Sequence, residues 1–99
     1  GHRKIIITPG MVELGDMEED ENRKIGEVIS DVVDFVILVG KKRTVPIYEG
    51  LKNKDFNEDN IYRVSSLAEA TEVLAKISMP GDVVLFENDL PDNYNEEWN

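Results

Sequence analysis

Phe35-Val36-Ile37-Leu38-Val39 is an unbroken apolar run closed by Gly40. A strand with one wet face alternates apolar and polar residues, so a continuous run fits a strand covered on both faces. A second such run, Lys4-Ile5-Ile6-Ile7-Thr8, is rich in β-branched residues and ends at Pro9-Gly10, a pair that turns the chain. Two strands of this kind need layers above and below them, and the segments between the apolar runs supply those layers.

Ile25, Val28, Ile29, Val32 and Val33 recur at helical spacing. Ahead of them Asp16, Glu18, Glu19, Asp20 and Glu21 place negative charge where a helix dipole favours it. The pattern predicts an amphipathic helix of about four turns. After Gly40 and the basic loop Lys41-Lys42-Arg43, Thr44 is placed to cap a short helix. Pro46 stands near its first turn, and Ile47, Tyr48 and Leu51 lie on its inner side. The polar stretch 53–60 reads as a loop, and Ile61-Tyr62-Arg63-Val64 as a brief third strand.

Ser66-Leu67-Ala68-Glu69 spells a capping box, in which Ser66 and Glu69 satisfy each other's backbone N–H groups. The helix it opens carries Leu67, Ala70, Val73, Leu74 and Ile77 on one stripe until Pro80-Gly81 stops it, and Val83-Val84-Leu85-Phe86 is the fourth strand. Alternation of strand and helix over this length implies right-handed crossovers, a parallel four-stranded sheet and helices on both faces. The fold class is therefore α/β: a three-layer α/β/α, Rossmann-like domain. Gly1-His2 reads as a tag remnant, residues 3–87 as the single domain, and residues 88–99 as a polar acidic tail whose large apolar groups are Tyr94 and Trp98.

Composition narrows the function classes. The chain has 21 acidic and 11 basic residues, a formal charge of −10, and most of such a surface repels nucleic acid. Without cysteine there is no thiolate nucleophile and no zinc cluster, and the single histidine, His2, falls in the tag remnant. No apolar run approaches the roughly 20 residues that a membrane span needs. The composition suits a cytoplasmic protein. Neither the G-x-x-x-x-G-K-[ST] phosphate loop nor G-x-G-x-x-G occurs. Ser65 and Ser66 have no histidine partner, and Glu13 and Asp16 serve a helix dipole better than they serve a cation. The reading is no catalytic residue and no metal site. Open parallel sheets bind ligands beyond the carboxyl ends of their strands, which here points to the loops 8–15, 40–44 and 87–93.

The first of those loops holds Gly10-Met11-Val12-Glu13-Leu14-Gly15, which resembles the G-D-M-x-E-L-G signature in the C-terminal domain of Mur ligases. These enzymes couple ATP hydrolysis to peptide-bond formation on muramoyl precursors of the cell wall. Arg23-Lys24-Ile25-Gly26-Glu27 is similar to the following helix in the branch that adds D-alanyl-D-alanine, the MurF type. Val39-Gly40 resembles that branch's second-strand terminus, and Pro80-Gly81-Asp82-Val83-Val84-Leu85 its P-G-D-V-V-L lead into the last strand. Two departures stand out. Gly10 replaces the signature's aspartate, and Glu87-Asn88-Asp89-Leu90 replaces a basic K-G-S-R, reversing the charge of that loop.

The resemblance implies sheet order 3-2-1-4 and a domain that positions the incoming amino acid or dipeptide. Lys41, Lys42 and Arg43 would bind that acceptor, and Arg43 can grip a carboxylate with two parallel hydrogen bonds. Asn88 and Asp89 would receive its ammonium or peptide groups, while Gly10, Met11, Glu13 and Gly15 form the motif loop. The resemblance further implies a parent enzyme that uses ATP and Mg²⁺ on a UDP-muramoyl-peptide, a fragment that binds neither and has no turnover, and an apolar edge at strand 83–86 able to pair with another copy. The residues are equally compatible with a free-standing Rossmann-like binding or regulatory module. The sequence upstream of Arg3 separates the two readings, because a ligase must carry a phosphate loop there.

Overall fold

The computed structural model describes residues 2–11 and 15–87. Strand β1 is Lys4–Thr8, helix α1 Glu18–Ser30, β2 Phe35–Val39, α2 Val45–Asn53, β3 Ile61–Val64, α3 Leu67–Ile77 and β4 Val83–Phe86. The four strands form one parallel sheet in the order β3-β2-β1-β4. The period-two rule explains how two continuous apolar runs serve two cores. Ile6, Val36 and Leu38 face one side, where Ile29 of α1, Val33 just beyond it, and Ile47 and Leu51 of α2 cover them. Ile5, Ile7, Ile37 and Val39 face the other, under Ala70 of α3 with Leu67, Val73, Leu74 and Ile77 packed around it. The layers are α/β/α, as the sequence implies.

Helix α1 is rotated from the stripe read in the sequence. Ile29 and Val33 are buried and Ile25 is half-buried, but Val28 and Val32 are exposed. The buried face instead runs Asn22, Gly26, Ile29. Its position is set by backbone contact with α2, since a Cβ added to Gly26 would stand 2.2 Å from the Ile47 carbonyl oxygen, closer than any side chain allows.

Three local readings need correction. The stretch 53–60 is not all loop: α2 runs to Asn53, and Glu58–Asn60 forms a 3-10 turn capped by the Asn57 side chain, which accepts from the Asp59 N–H. Thr44 occupies the N-cap position of α2 without capping it. Its hydroxyl donates to the Gly40 carbonyl at 2.6 Å, because the 41–44 turn is already near-helical and offers that oxygen four residues back. Ser66 does accept from the Glu69 N–H, but the Glu69 carboxylate reaches the N–H of Ser65 rather than that of Ser66. The capping box is thus one residue wider than its usual form.

Strand β4 pairs only with β1 among the described residues, and all four of its side chains are exposed. At the opposite end of β1, Arg3 donates to the Asp82 carboxylate through Nε and Nη2 and to the Ile77 carbonyl, so the lead into β4 is tied to the start of β1 and the end of α3.

Candidate functional site

The carboxyl ends of β1 and β2 each finish in a glycine with positive φ, Gly10 at +80° and Gly40 at +97°, so both chains turn sharply away from the sheet. At the first turn the Gly10 N–H donates to the Thr8 hydroxyl. The next residue is held from outside the loop. Asn22, buried in α1, accepts from the Met11 N–H at 2.8 Å and donates to the Met11 carbonyl at 2.9 Å and to the Glu18 carbonyl at 2.9 Å. A Cβ on Gly10 would fall 2.9 Å from the Asn22 oxygen. Glycine is therefore demanded twice, by φ and by space. The departure from the aspartate of the signature is consistent with this: a side chain at Gly10 would meet the positive φ and would have to displace Asn22.

The second turn is pinned in a comparable way. The Gly40 N–H donates to Val64, Thr44 closes back on the Gly40 carbonyl, and Arg63 of β3 donates to the Lys41 carbonyl at 2.8 Å while its guanidinium lies 5.0 Å from the Tyr48 ring centroid. Lys41 and Lys42 are exposed. Arg43 is half-buried, with Nε and Nη1 shielded from solvent.

Between the first turns of α1 and the lead into α2 lies an open pocket of about 480 Å³. Glu18, Glu19 and Asn22 of α1 line one side, and Lys42 and Arg43, with Val45 and Pro46 beneath, line the other. Of the three basic residues singled out in the sequence, the structure brings two into this pocket. Lys41 contributes its backbone carbonyl to the support of the loop instead. Met11 and Gly10 form the loop beside it, Gly15 is at φ +63°, and Glu13, Asn88 and Asp89 lie outside the described residues. A second, smaller depression of about 200 Å³ sits at the carboxyl ends of β1 and β4, where the strand order reverses, with Ile25, Ile29 and Met11 against Thr8 and Glu87. Crevices at such reversals are the usual ligand positions of open α/β sheets.

Two cations on α1 and α2 are committed to structure. Arg23 bridges Glu49 on α2 and Asp20 on its own helix, and the Glu49 hydrogen bond raises its pKa above the ordinary arginine value. Lys52 and Tyr48 both donate to Glu58, which holds that carboxyl below its ordinary pKa. Among the described residues no three His, Cys, Asp or Glu side chains converge as a metal site would require, and no helix is long and apolar enough to cross a membrane.

Asn22 and Arg63 do not emerge from the sequence reading. A signal for Asn22 exists: it starts the spacing 22, 26, 29 that the buried face of α1 follows, and a polar residue on such a stripe needs a partner. Arg63 is legible only once β3 lies beside β2.

No family model matches the chain. Over 86 residues it is 31% identical to the UDP-N-acetylmuramoyl-tripeptide–D-alanyl-D-alanine ligase of Bacillus subtilis (strain 168), a match that takes in 86% of this chain and 18% of that protein. The crystal structure of MurF from Acinetobacter baumannii superposes with a TM-score of 0.62 at 17% identity, over 89% of this chain and 19% of the other. The chain thus spans less than a fifth of the length of either relative. Its similarity to the MurF-type Mur ligases holds in sequence for the first and in fold for the second.

Proposed function

We propose that this chain, similar to MurF-type ligases over most of its length, is the acceptor-binding domain of a Mur-type, ATP-dependent amide ligase of peptidoglycan precursor synthesis. The observation that carries the reading is the two-signed pocket: Glu18 and Glu19 face Lys42 and Arg43 across a space of about 480 Å³. An amino acid or short peptide is a zwitterion, and a cavity with a cationic and an anionic wall is complementary to one. The exposed Lys42 ammonium, with the part of the Arg43 guanidinium that reaches the pocket, meets the acceptor carboxylate, while Glu18 and Glu19 draw its ammonium to the other wall. The preferred acceptor is D-alanyl-D-alanine, after the activity in the name of the Bacillus subtilis relative.

The role is positioning. For a peptide bond to form, the acceptor ammonium gives up a proton and the amine attacks the activated carboxyl carbon, whose activating group leaves as the C–N bond forms and the nitrogen sheds its second proton. Holding that amine in line converts a bimolecular encounter into a local one. The domain delivers the amine when it closes against the part of the parent enzyme that carries the UDP-muramoyl-peptide. Among the described residues no set of carboxylates converges as a metal site would require, and the sequence has no G-x-x-x-x-G-K-[ST] phosphate loop. The fragment alone has no turnover, and its parent works in the cytoplasm, where UDP-linked precursors are made.

Two measurements test the reading. A parent reading frame encoding a G-K-[ST] phosphate loop upstream of Arg3 supports it, and a frame that starts within a few residues of Arg3 overturns it in favour of a free-standing module. In the intact enzyme Arg43→Ala should raise the acceptor KM, and an unchanged KM removes Arg43 from the site.

A further inference from the structure

We infer that Asn22 is a positioning residue, whose single amide group fixes the loop after β1 and the anionic wall of the pocket in one geometry. Three hydrogen bonds carry the inference. The Asn22 Oδ1 accepts from the Met11 N–H, and Nδ2 donates both to the Met11 carbonyl and to the Glu18 carbonyl. Both hydrogens of Nδ2 are used and Oδ1 already accepts one bond, so the side chain has no donor left for a ligand although it lines the pocket. Its 2% exposure makes the bonds costly to lose, because water cannot replace them without opening the helix.

The partners explain why this matters for the site. Met11 belongs to the loop and Glu18 to the first turn of α1, and no other side chain among the described residues is hydrogen-bonded to both. The α1 backbone at Glu18 is where the anionic wall begins. Releasing Asn22 therefore frees the Gly10–Met11 turn and loosens the turn that presents Glu18, while the cationic wall keeps its own support from Arg63 and Thr44. The placement of the anionic wall against the Gly10–Met11 turn is the quantity that Asn22 controls. This rests on the acceptor reading for what the pocket holds, but not for the latch itself.

Amide hydrogen exchange on this chain, followed residue by residue, separates the two. Three variants are compared with the parent sequence: Asn22→Ala, Asn22→Asp, which keeps the shape and one acceptor but loses both donors, and Val33→Ala, which weakens the same core just beyond the end of α1, away from the loop. In Asn22→Ala the Met11 N–H should exchange about tenfold to a hundredfold faster than global stability accounts for. Asn22→Asp should keep much of the Met11 N–H protection yet still loosen the first turn of α1. In Val33→Ala, Met11 should follow the amides of β1. Met11 exchange that tracks global stability in Asn22→Ala overturns the latch.

The dipeptide D-alanyl-D-alanine, titrated against the same proteins, reads the pocket. The latch predicts at least about a tenfold loss of affinity in Asn22→Ala and in Asn22→Asp, and little loss in Val33→Ala. Equal losses in all three variants would reduce Asn22 to a stability residue. Should the parent sequence take up no dipeptide, the acceptor reading falls, and the exchange result alone decides the latch.

Discussion

Gly26 and Gly50 meet where α1 crosses α2, so close that a Cβ built on Gly26 lies 3.1 Å from the Gly50 Cα and 2.2 Å from the Ile47 carbonyl oxygen. The converse is as tight, with a Gly50 Cβ 2.0 Å from the Arg23 carbonyl oxygen. Backbone cannot give way as a side chain can. Gly26→Ala or Gly50→Ala must separate the helices, and each should cost at least about 1–3 kcal/mol, with the larger loss of the range more fitting for a clash with backbone. Urea unfolding measures it. A neutral or stabilising Gly26→Ala, as helix propensity alone would favour, would show that the crossing is looser than described.

The same logic bears on Gly10. Its φ of +80° and the Asn22 oxygen 2.9 Å from a notional Cβ penalise any side chain, so Gly10→Ala should lose about 1–3 kcal/mol. Gly10→Asp, which restores the residue of the Mur ligase signature, should do worse, because it sets a carboxylate against the Asn22 oxygen. Combining Gly10→Asp with Asn22→Ala should recover part of that loss. A double-mutant cycle is the measurement, and strictly additive costs would mean that the two positions do not sense each other.

What the sequence made legible follows from this geometry. Continuous apolar runs, Pro-Gly stops and a Ser-x-x-Glu cap act within a few residues, so the four strands, three main helices and layer order could be read directly from the chain. Strand order 3-2-1-4 came through the family resemblance and holds in the structure. The rotation of α1 could not be read in the same way. It is decided by two glycines 24 positions apart in the chain, 26 and 50, and a hydropathy stripe weighs Val28 and Val32 while ignoring Gly26. Likewise Lys42 and Arg43 were legible as charges in a ligand loop, whereas Glu18 and Glu19 read as dipole partners. Both descriptions hold, because a helix whose first turn is acidic also offers that acid to whatever pocket forms beside it.

Acid should expose the tie between β1 and β4. Asp82 receives hydrogen bonds from Arg3, which hold its carboxyl below the ordinary value of 3.8, with the Met79 N–H adding to the effect. A folded-state pKa below the unfolded one means that the contribution is fully present above the ordinary value and is lost as pH falls through the folded value. Thermal unfolding from neutral pH down to about pH 2 should therefore show Asp82→Asn less stable than the parent at neutrality and converging with it in acid. Two parallel curves would rule out this pair as the origin of the acid sensitivity. The opposite end of the titration is silent in practice, since the Arg3 pKa is raised and its charge persists throughout.

Strand β4 sets the last expectation. Val83, Val84, Leu85 and Phe86 are 41%, 41%, 45% and 49% exposed, and the register places Leu85 beside Ile6 and Phe86 beside Ile7, so both faces of this edge are apolar. An apolar edge strand with an unpaired ladder is a template for a second chain. The formal charge of −10 opposes that encounter, and salt screens charge while leaving apolar contact intact. Self-association through β4 should accordingly be weak at low ionic strength and strengthen as salt is added, the reverse of a polar interface. Leu85→Lys should abolish it by placing charge within the contact. Sedimentation equilibrium across a salt series reads the outcome directly. A mass that stays monomeric at every salt concentration argues against pairing through β4, and association that appears only after deletion of residues 88–99 would assign the cover of this edge to the chain's own acidic tail.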